Sequence, residues 1–166
     1  GSIFEVPLDS FDSAIVSTGD SAKFEIIKYL LENKKHVLVE KPFISNNVSQ
    51  LAELLEICER NKTVCYTAYN HRFEPHFVSM ARILKSKQLG KLYSIRMFYG
   101  NGTARLVRDS VWRDQGAGVL TDLGSHLIDT LDFWFGNISK LELSVTGAFN
   151  HENVAFDHVI ISSNHS

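Results

Sequence analysis

Cysteine is scarce: Cys58 and Cys65 are the only two in 166 residues. That excludes a disulfide-stapled secreted scaffold. One cysteine falls on an apolar helix face and the other in an apolar strand run, so both are expected to be small core residues in a reducing cytosol, with no metal bound. An excess of one charge sign is lacking too. The 17 Lys and Arg are interspersed with 19 Asp and Glu, leaving a net charge of -2 and no basic field for nucleic acid or an anionic lipid surface. No apolar run approaches the roughly 20 residues of a membrane span, and the N-terminus lacks a charged-then-apolar signal segment. Absent as well is G-x-G-x-x-G, the turn that cradles a dinucleotide's pyrophosphate. What remains is a chain 44% hydrophobic, long enough for one domain or parts of two. A small-molecule partner and a cytoplasmic location suit it best, with no nucleic acid and no membrane.

The apolar pattern divides the chain. From Ser13 to Thr18 runs a β-rich stretch, and Phe24, Ile27, Leu30 and Leu31 then recur at helical spacing until Asn33 supplies a stop. His36-Val37-Leu38-Val39 reads as a parallel strand covered on both faces. Asn47 is placed to cap a helix whose apolar stripe is Val48, Leu51, Ala52, Leu55 and Cys58, and Thr63 to Ala68 is the next strand. Strands alternating with helices at this spacing predict right-handed βαβ crossovers and a parallel sheet. After Tyr69 the pattern changes. A helix is expected over about 75–87, a half-buried strand over 92–99, and a Gly-, Arg- and Asp-rich loop over 100–116. A long amphipathic helix over 119–135 closes at Gly136, and two alternating strands follow, over about 139–149 and 154–162. The fold class expected is therefore α/β: the second half of a Rossmann-type parallel sheet over 1–69, then over 70–166 part of an α+β domain with an open, mainly antiparallel sheet.

Three segments in order carry a resemblance: Lys35 to Pro42 (KHVLVEKP), Asn70 to Pro75 (NHRFEP), and Gly116 to Asp129 (GAGVLTDLGSHLID). Together they resemble the Gfo/Idh/MocA family, the glucose-fructose oxidoreductase and inositol dehydrogenase relatives. A lone Glu-Lys-Pro is common, but Glu-Lys-Pro followed by Gly-x-Gly-x-x-x-Asp-x-x-x-His is not. The resemblance implies a nicotinamide-dependent oxidoreductase, using NAD or NADP, with a Rossmann domain and a second α/β domain on an open sheet. It also implies that this chain starts just before the fourth Rossmann strand and ends inside the second sheet. The glycine fingerprint and the ribose-binding acid would then lie outside it, and the chain by itself would be an inactive fragment. A homo-oligomer built through the second sheet is implied as well. Two positions depart from the family's habit: Thr18-Gly19 stands where Thr-Pro is usual, and Lys23 where a histidine is frequent.

Ligands of a doubly wound sheet sit beyond the carboxyl ends of its strands. Ser17, Thr18, Glu40, Lys41 and Pro42 occupy such ends and are the candidate cofactor contacts. Oxidising a secondary alcohol needs a base at the hydroxyl and a positive group to steady the oxygen's developing charge. His126 fits the base, Asp122 the group that orients it from four residues earlier, and Lys41 the positive group; the resemblance carries the same roles onto these three. Arg72, Trp112 and Arg113 are candidates for the substrate, which would be a sugar, cyclitol or sugar-derived alcohol. Other readings stay open. Lys41 could be a solvated strand end paired with Glu40. Asp122 and His126 could be a local helix pair or metal ligands, although no nearby Cys or His motif completes a metal set. Arg72 could anchor the domain junction, Trp112 and Arg113 could pack the loop, and Asp129 could be a helix-surface charge. The other histidines, His71 among them, show no partner pattern. An NAD-dependent glycoside hydrolase of the same fold and a non-catalytic, cofactor-binding regulator are the alternative functions. The turn out of the second strand also predicts a cis Lys41–Pro42 bond.

Overall fold

In the computed structural model, residues 1–43, 45, 47–100, 117–136, 138–149 and 154–164 are described. They form two compact units, Gly1–Ala68 and Tyr69–Ser166.

The first unit is built on three short parallel strands in the order β1 (Ser13–Val16), β2 (His36–Val39), β3 (Cys65–Thr67). β1 pairs with β2 from Ser13↔His36 to Val16↔Val39, and β2 with β3 from Val37↔Cys65 to Val39↔Thr67. Helices α1 (Asp20–Glu32) and α2 (Val48–Asn61) make the crossovers. Val16, Val37 and Val39 point from the sheet into one core with Ile27, Leu30 and Leu31 of α1 and Leu54 and Ile57 of α2. Burying an aliphatic side chain of this size contributes about 1.5–3 kcal/mol, so these eight residues hold the unit together. The helix ends are satisfied locally. Asn47 caps α2 by accepting from the Ser49 amide, and the Asn61 side-chain amide donates to Leu31 O at 2.9 Å, meeting a carbonyl at the end of α1.

Two expectations fail here. Among the described residues β2 is covered on one face only: Val37 and Val39 are buried, whereas Leu38 is exposed, as are Ile15 of β1 and Tyr66 of β3. A continuous apolar run is compatible with two covered faces, but both helices lie on the same one. The stripe assigned to α2 also differs, since Val48, Leu51 and Leu55 face solvent while Leu54 and Ile57 are buried. Apolar residues cover more than half of that helix's circumference, so spacing could not choose the packed side; contact with α1 and the sheet does.

Cys58 and Cys65 are free thiols packed against this core, as expected. Burial, with a smaller contribution from Cys58, pushes the Cys65 thiol from 9.0 up to about 11. The folded state therefore favours the protonated thiol. That contribution to stability is full below pH 9.0 and is lost as the pH rises toward about 11. Alkylation of Cys65, followed by mass spectrometry against pH, is expected to reach half its maximal rate near 11; a midpoint at the ordinary thiol value would contradict the burial.

In the second unit, a 3₁₀ turn at Asn70–Phe73 leads into α3 (Pro75–Lys85), which has proline at its first position, where no amide donor is missed. Residues 92–99 form no strand, contrary to expectation. Met97 and Tyr99 are half-buried and Phe98 exposed, but this alternation acquires no ladder partner among the described residues. The expected helix over 119–135 begins as a π-helical turn, Leu120–Gly124, and continues as α4 (Ser125–Phe135), closed at Gly136 with φ 72°. β4 (Ser139–Gly147) and β5 (His158–Asn164) pair antiparallel, with irregularities between Ser139 and Leu141 and between Leu143 and Val145. The Trp134 indole donates to Phe77 O at 3.1 Å and ties α4 to α3. Among the described residues, no helix is long and apolar enough to cross a membrane.

Candidate active site

At the carboxyl end of the parallel sheet, the last ladder bond runs from the Glu40 amide to Val16 O at 2.8 Å. It sets the segment after β1, Ser17 and Thr18, beside the turn after β2, Glu40-Lys41-Pro42. Ser17, Thr18 and Glu40 are exposed; Lys41 and Pro42 are half-buried. The Lys41–Pro42 bond is cis, as expected. A β-carbon added at Gly19 would meet nothing within 4 Å, so the space before α1 is open. Exposed polar groups at the strand ends, next to an open helix start, fit the nicotinamide end of a dinucleotide. Lys23 was not foreseen as part of this turn. Its side chain is buried and its Nζ donates to Glu40 O and Pro42 O.

In the second unit, Asp122 lies in the π-helical turn and His126 in the first turn of α4. A single π turn within a helix shifts the faces of the residues around it, and such turns are frequent at functional sites. The leucines of the amphipathic segment, Leu120, Leu123, Leu127 and Leu131, are only half-buried, whereas His126 and Thr130 are the buried side chains of α4. His126 is 6% exposed and its Nδ1 is enclosed. Three rings surround it: His71 stacks on it at 4.6 Å, with Tyr69 at 5.8 Å and Tyr99 at 6.0 Å edge-on or steeply inclined. Sequence reasoning passed over His71 because an isolated histidine in a turn has no periodic partner; only the fold brings it to His126.

Arg72 is committed to α4. Its Nε donates to both Asp129 carboxylate oxygens at 2.9 Å, and a terminal nitrogen reaches Asp129 at 2.7 Å and Asp132 at 2.9 Å. The guanidinium also lies over Phe133, 5.5 Å from the ring centre. Asp129 is thus an ion-pair partner. Beside this cluster is an open groove of about 500 Å³ lined by Tyr69, Ser125, Ile128, Asp129, Asp132, Ile138 and Leu141. Burial raises the Tyr69 phenol above its ordinary range; a hydrogen bond with Ser125 opposes the shift. Neither Asp122 nor His126 lines the groove. Trp112 and Arg113 lie outside the described residues.

Gly118 shows why the motif carries glycine just before the π turn. Its φ is +51°, and a β-carbon there would sit against the Phe156 carbonyl oxygen and 2.8 Å from the Phe156 nitrogen. The backbone approaches this closely because the Val119 amide donates to Phe156 O at 2.8 Å. Gly118→Ala is therefore expected to destabilise the second unit by about 2 kcal/mol or more, from left-handed strain plus the clash. Urea unfolding would show it, and an unchanged midpoint would contradict the tight approach.

Two family models match the chain. Residues 3–69 match the oxidoreductase family with an NAD-binding Rossmann fold, and residues 77–164 match the GFO/IDH/MocA C-terminal domain. The chain belongs to the GFO/IDH/MocA oxidoreductase family. An uncharacterized oxidoreductase of Schizosaccharomyces pombe is 30% identical over 131 residues, covering 76% of this chain and 34% of the relative. Glucose-6-phosphate 3-dehydrogenase of Bacillus subtilis is 26% identical over 133 residues, covering 77% of this chain and 38% of the relative. The chain thus spans little more than a third of the length of these curated relatives. Among solved structures, an inositol dehydrogenase homolog of Azotobacter vinelandii, complexed with NADH and myo-inositol, shares the fold. Its TM-score is 0.77 at 22% identity, over 96% of this chain and 42% of that one. The parallel unit of this chain thus lies in the segment matched to the NAD-binding Rossmann fold, and His126 in the segment matched to the C-terminal domain.

Proposed function

We propose that this chain works within an NAD(P)-dependent oxidoreductase acting on a sugar, cyclitol or sugar-derived alcohol. The observation that carries the reading is the Glu40-Lys41-Pro42 turn at the carboxyl end of a parallel strand, inside the segment matched to the NAD-binding fold. A bound nicotinamide would supply the hydride acceptor. Ser17, Thr18, Glu40, Lys41 and Pro42 would hold its reactive end. Lys41 steadies the charge that develops on the substrate oxygen, and His126 takes the hydroxyl proton. Asp122, preceding His126 by four residues, orients it. Arg72, occupied by Asp129 and Asp132, shapes the substrate side through those carboxylates, with Trp112 and Arg113 contributing contacts.

The substrate class is supported by the relatives, one named for glucose 6-phosphate and one bound to myo-inositol. A homo-oligomer through the second unit's sheet is part of the proposal, supported by the exposed Leu141, Leu143 and Ile160. A cytoplasmic location is the other part, supported by the free cysteines. The test is to incubate the full-length protein with NAD or NADP and a panel containing myo-inositol and glucose 6-phosphate. Net accumulation of reduced cofactor with a member of the panel is expected. Glycoside cleavage without net reduction would point to a hydrolase instead, and cofactor binding without turnover of alcohols or glycosides to a regulator.

A further inference from the structure

Lysine is among the side chains least often buried unless its charge is paired. Lys23, in the first turns of α1, is 3% exposed. Its ammonium meets three oxygens: Glu40 O at 2.9 Å, Pro42 O at 2.7 Å and Asp20 Oδ1 at 2.8 Å. Three donors on three acceptors exhaust what an ammonium offers. Asp20 supplies the countercharge, and the two carbonyls belong to the residues on either side of Lys41. The ladder holding β2 ends at Glu40, and Pro42 has no amide hydrogen to donate. Past that point charge-assisted bonds from Lys23, stronger than neutral ones, hold the main chain.

We propose that Lys23 is a positioning residue for Lys41: it clamps the carbonyls before and after Lys41 and so fixes the direction in which that side chain leaves the sheet. The inference rests on the reading that Lys41 meets the reacting oxygen. It goes further in assigning the geometry of that lysine to a second, buried lysine 18 positions earlier. A neutral, unbranched side chain without a donor, as in Lys23→Met, would leave both carbonyls without this donor and the turn free to sample other directions. Asp20→Asn removes only the countercharge and keeps the carbonyl bonds.

The experiment is backbone ¹⁵N relaxation on the 166-residue chain, read at the amides of Lys41 and Phe43. In the wild type these are expected to be as ordered as rigid backbone, with order parameters of about 0.85, falling below about 0.6 in Lys23→Met. Ile57→Val, a change in the core cluster to which Glu40, Lys41 and Pro42 do not belong, and Asp20→Asn are expected to leave them unchanged. Unchanged order in a folded Lys23→Met overturns the proposal, and so does equal loosening in Ile57→Val, which would make Lys23 one core residue among others. Should Lys23→Met fail to fold, the wild type still decides through scalar couplings across the hydrogen bonds from Lys23 Nζ to the carbonyl carbons of Glu40 and Pro42. Their presence supports the clamp and their absence overturns it. None of these outcomes depends on the chemistry of Lys41, which is tested separately by turnover.

Discussion

Replacing His126 by alanine is expected to lower kcat for alcohol oxidation by the full-length enzyme roughly 10²–10⁴-fold, the usual worth of a positioned acid–base group. Cofactor affinity should hardly change, because His126 lies in the C-terminal-domain unit and the nucleotide contacts are assigned to the parallel one. Oxidation needs the imidazole neutral before the step and leaves it charged afterwards. The wild-type rate should therefore rise with pH as His126 loses its proton, and the variant should lose that acid limb along with the rate. The ring is held by His71, Tyr69 and Tyr99, so alanine also removes their common packing partner. His126→Asn provides the control, since it keeps a polar planar group but no base. Steady-state kinetics against pH for the three proteins check the expectation. A His126→Ala enzyme with unchanged kcat and an unchanged acid limb would make the histidine structural.

The second large effect is expected at Lys41. Lys41→Met should cost about 10²–10³-fold in kcat, comparable to removing one donor that stabilises a developing oxyanion. Lys41→Arg should restore little of it, because a planar fork with delocalised charge does not place a point charge where an ammonium does. Cofactor KM is the internal control: a loss confined to KM would make Lys41 a binding residue only. Measurement of kcat and KM for both variants separates these outcomes.

Much of this was legible in the sequence because single residues carried the information. Asn47 as a cap, Asn33 and Gly136 as stops and the β–α–β alternation up to Thr67 all follow from local chemistry that the tertiary structure leaves in place. The parts that failed depended on what packs against what. The apolar residues of α2 could form a stripe on either of two sides, and Leu54 and Ile57 won only because α1 and the sheet lie there. Residues 92–99 have a strand's alternation, but strand structure requires a neighbour to pair with. In the candidate site, the Glu-Lys-Pro turn and the Asp122–His126 spacing were visible as motifs. The roles of Lys23 and His71 were not, since each works through partners distant in sequence: Lys23 through Glu40 and Pro42, His71 through His126.

The central claim is that His126 accepts the proton of the alcohol being oxidised. The most direct measurement is a crystal structure of the full-length protein with oxidised cofactor and the alcohol it turns over, myo-inositol or glucose 6-phosphate being the first to try. The account predicts an imidazole nitrogen of His126 within hydrogen-bonding reach of a substrate hydroxyl, about 2.6–3.2 Å away. A bound alcohol with His126 turned away from it, and another side chain in its place, would contradict the account.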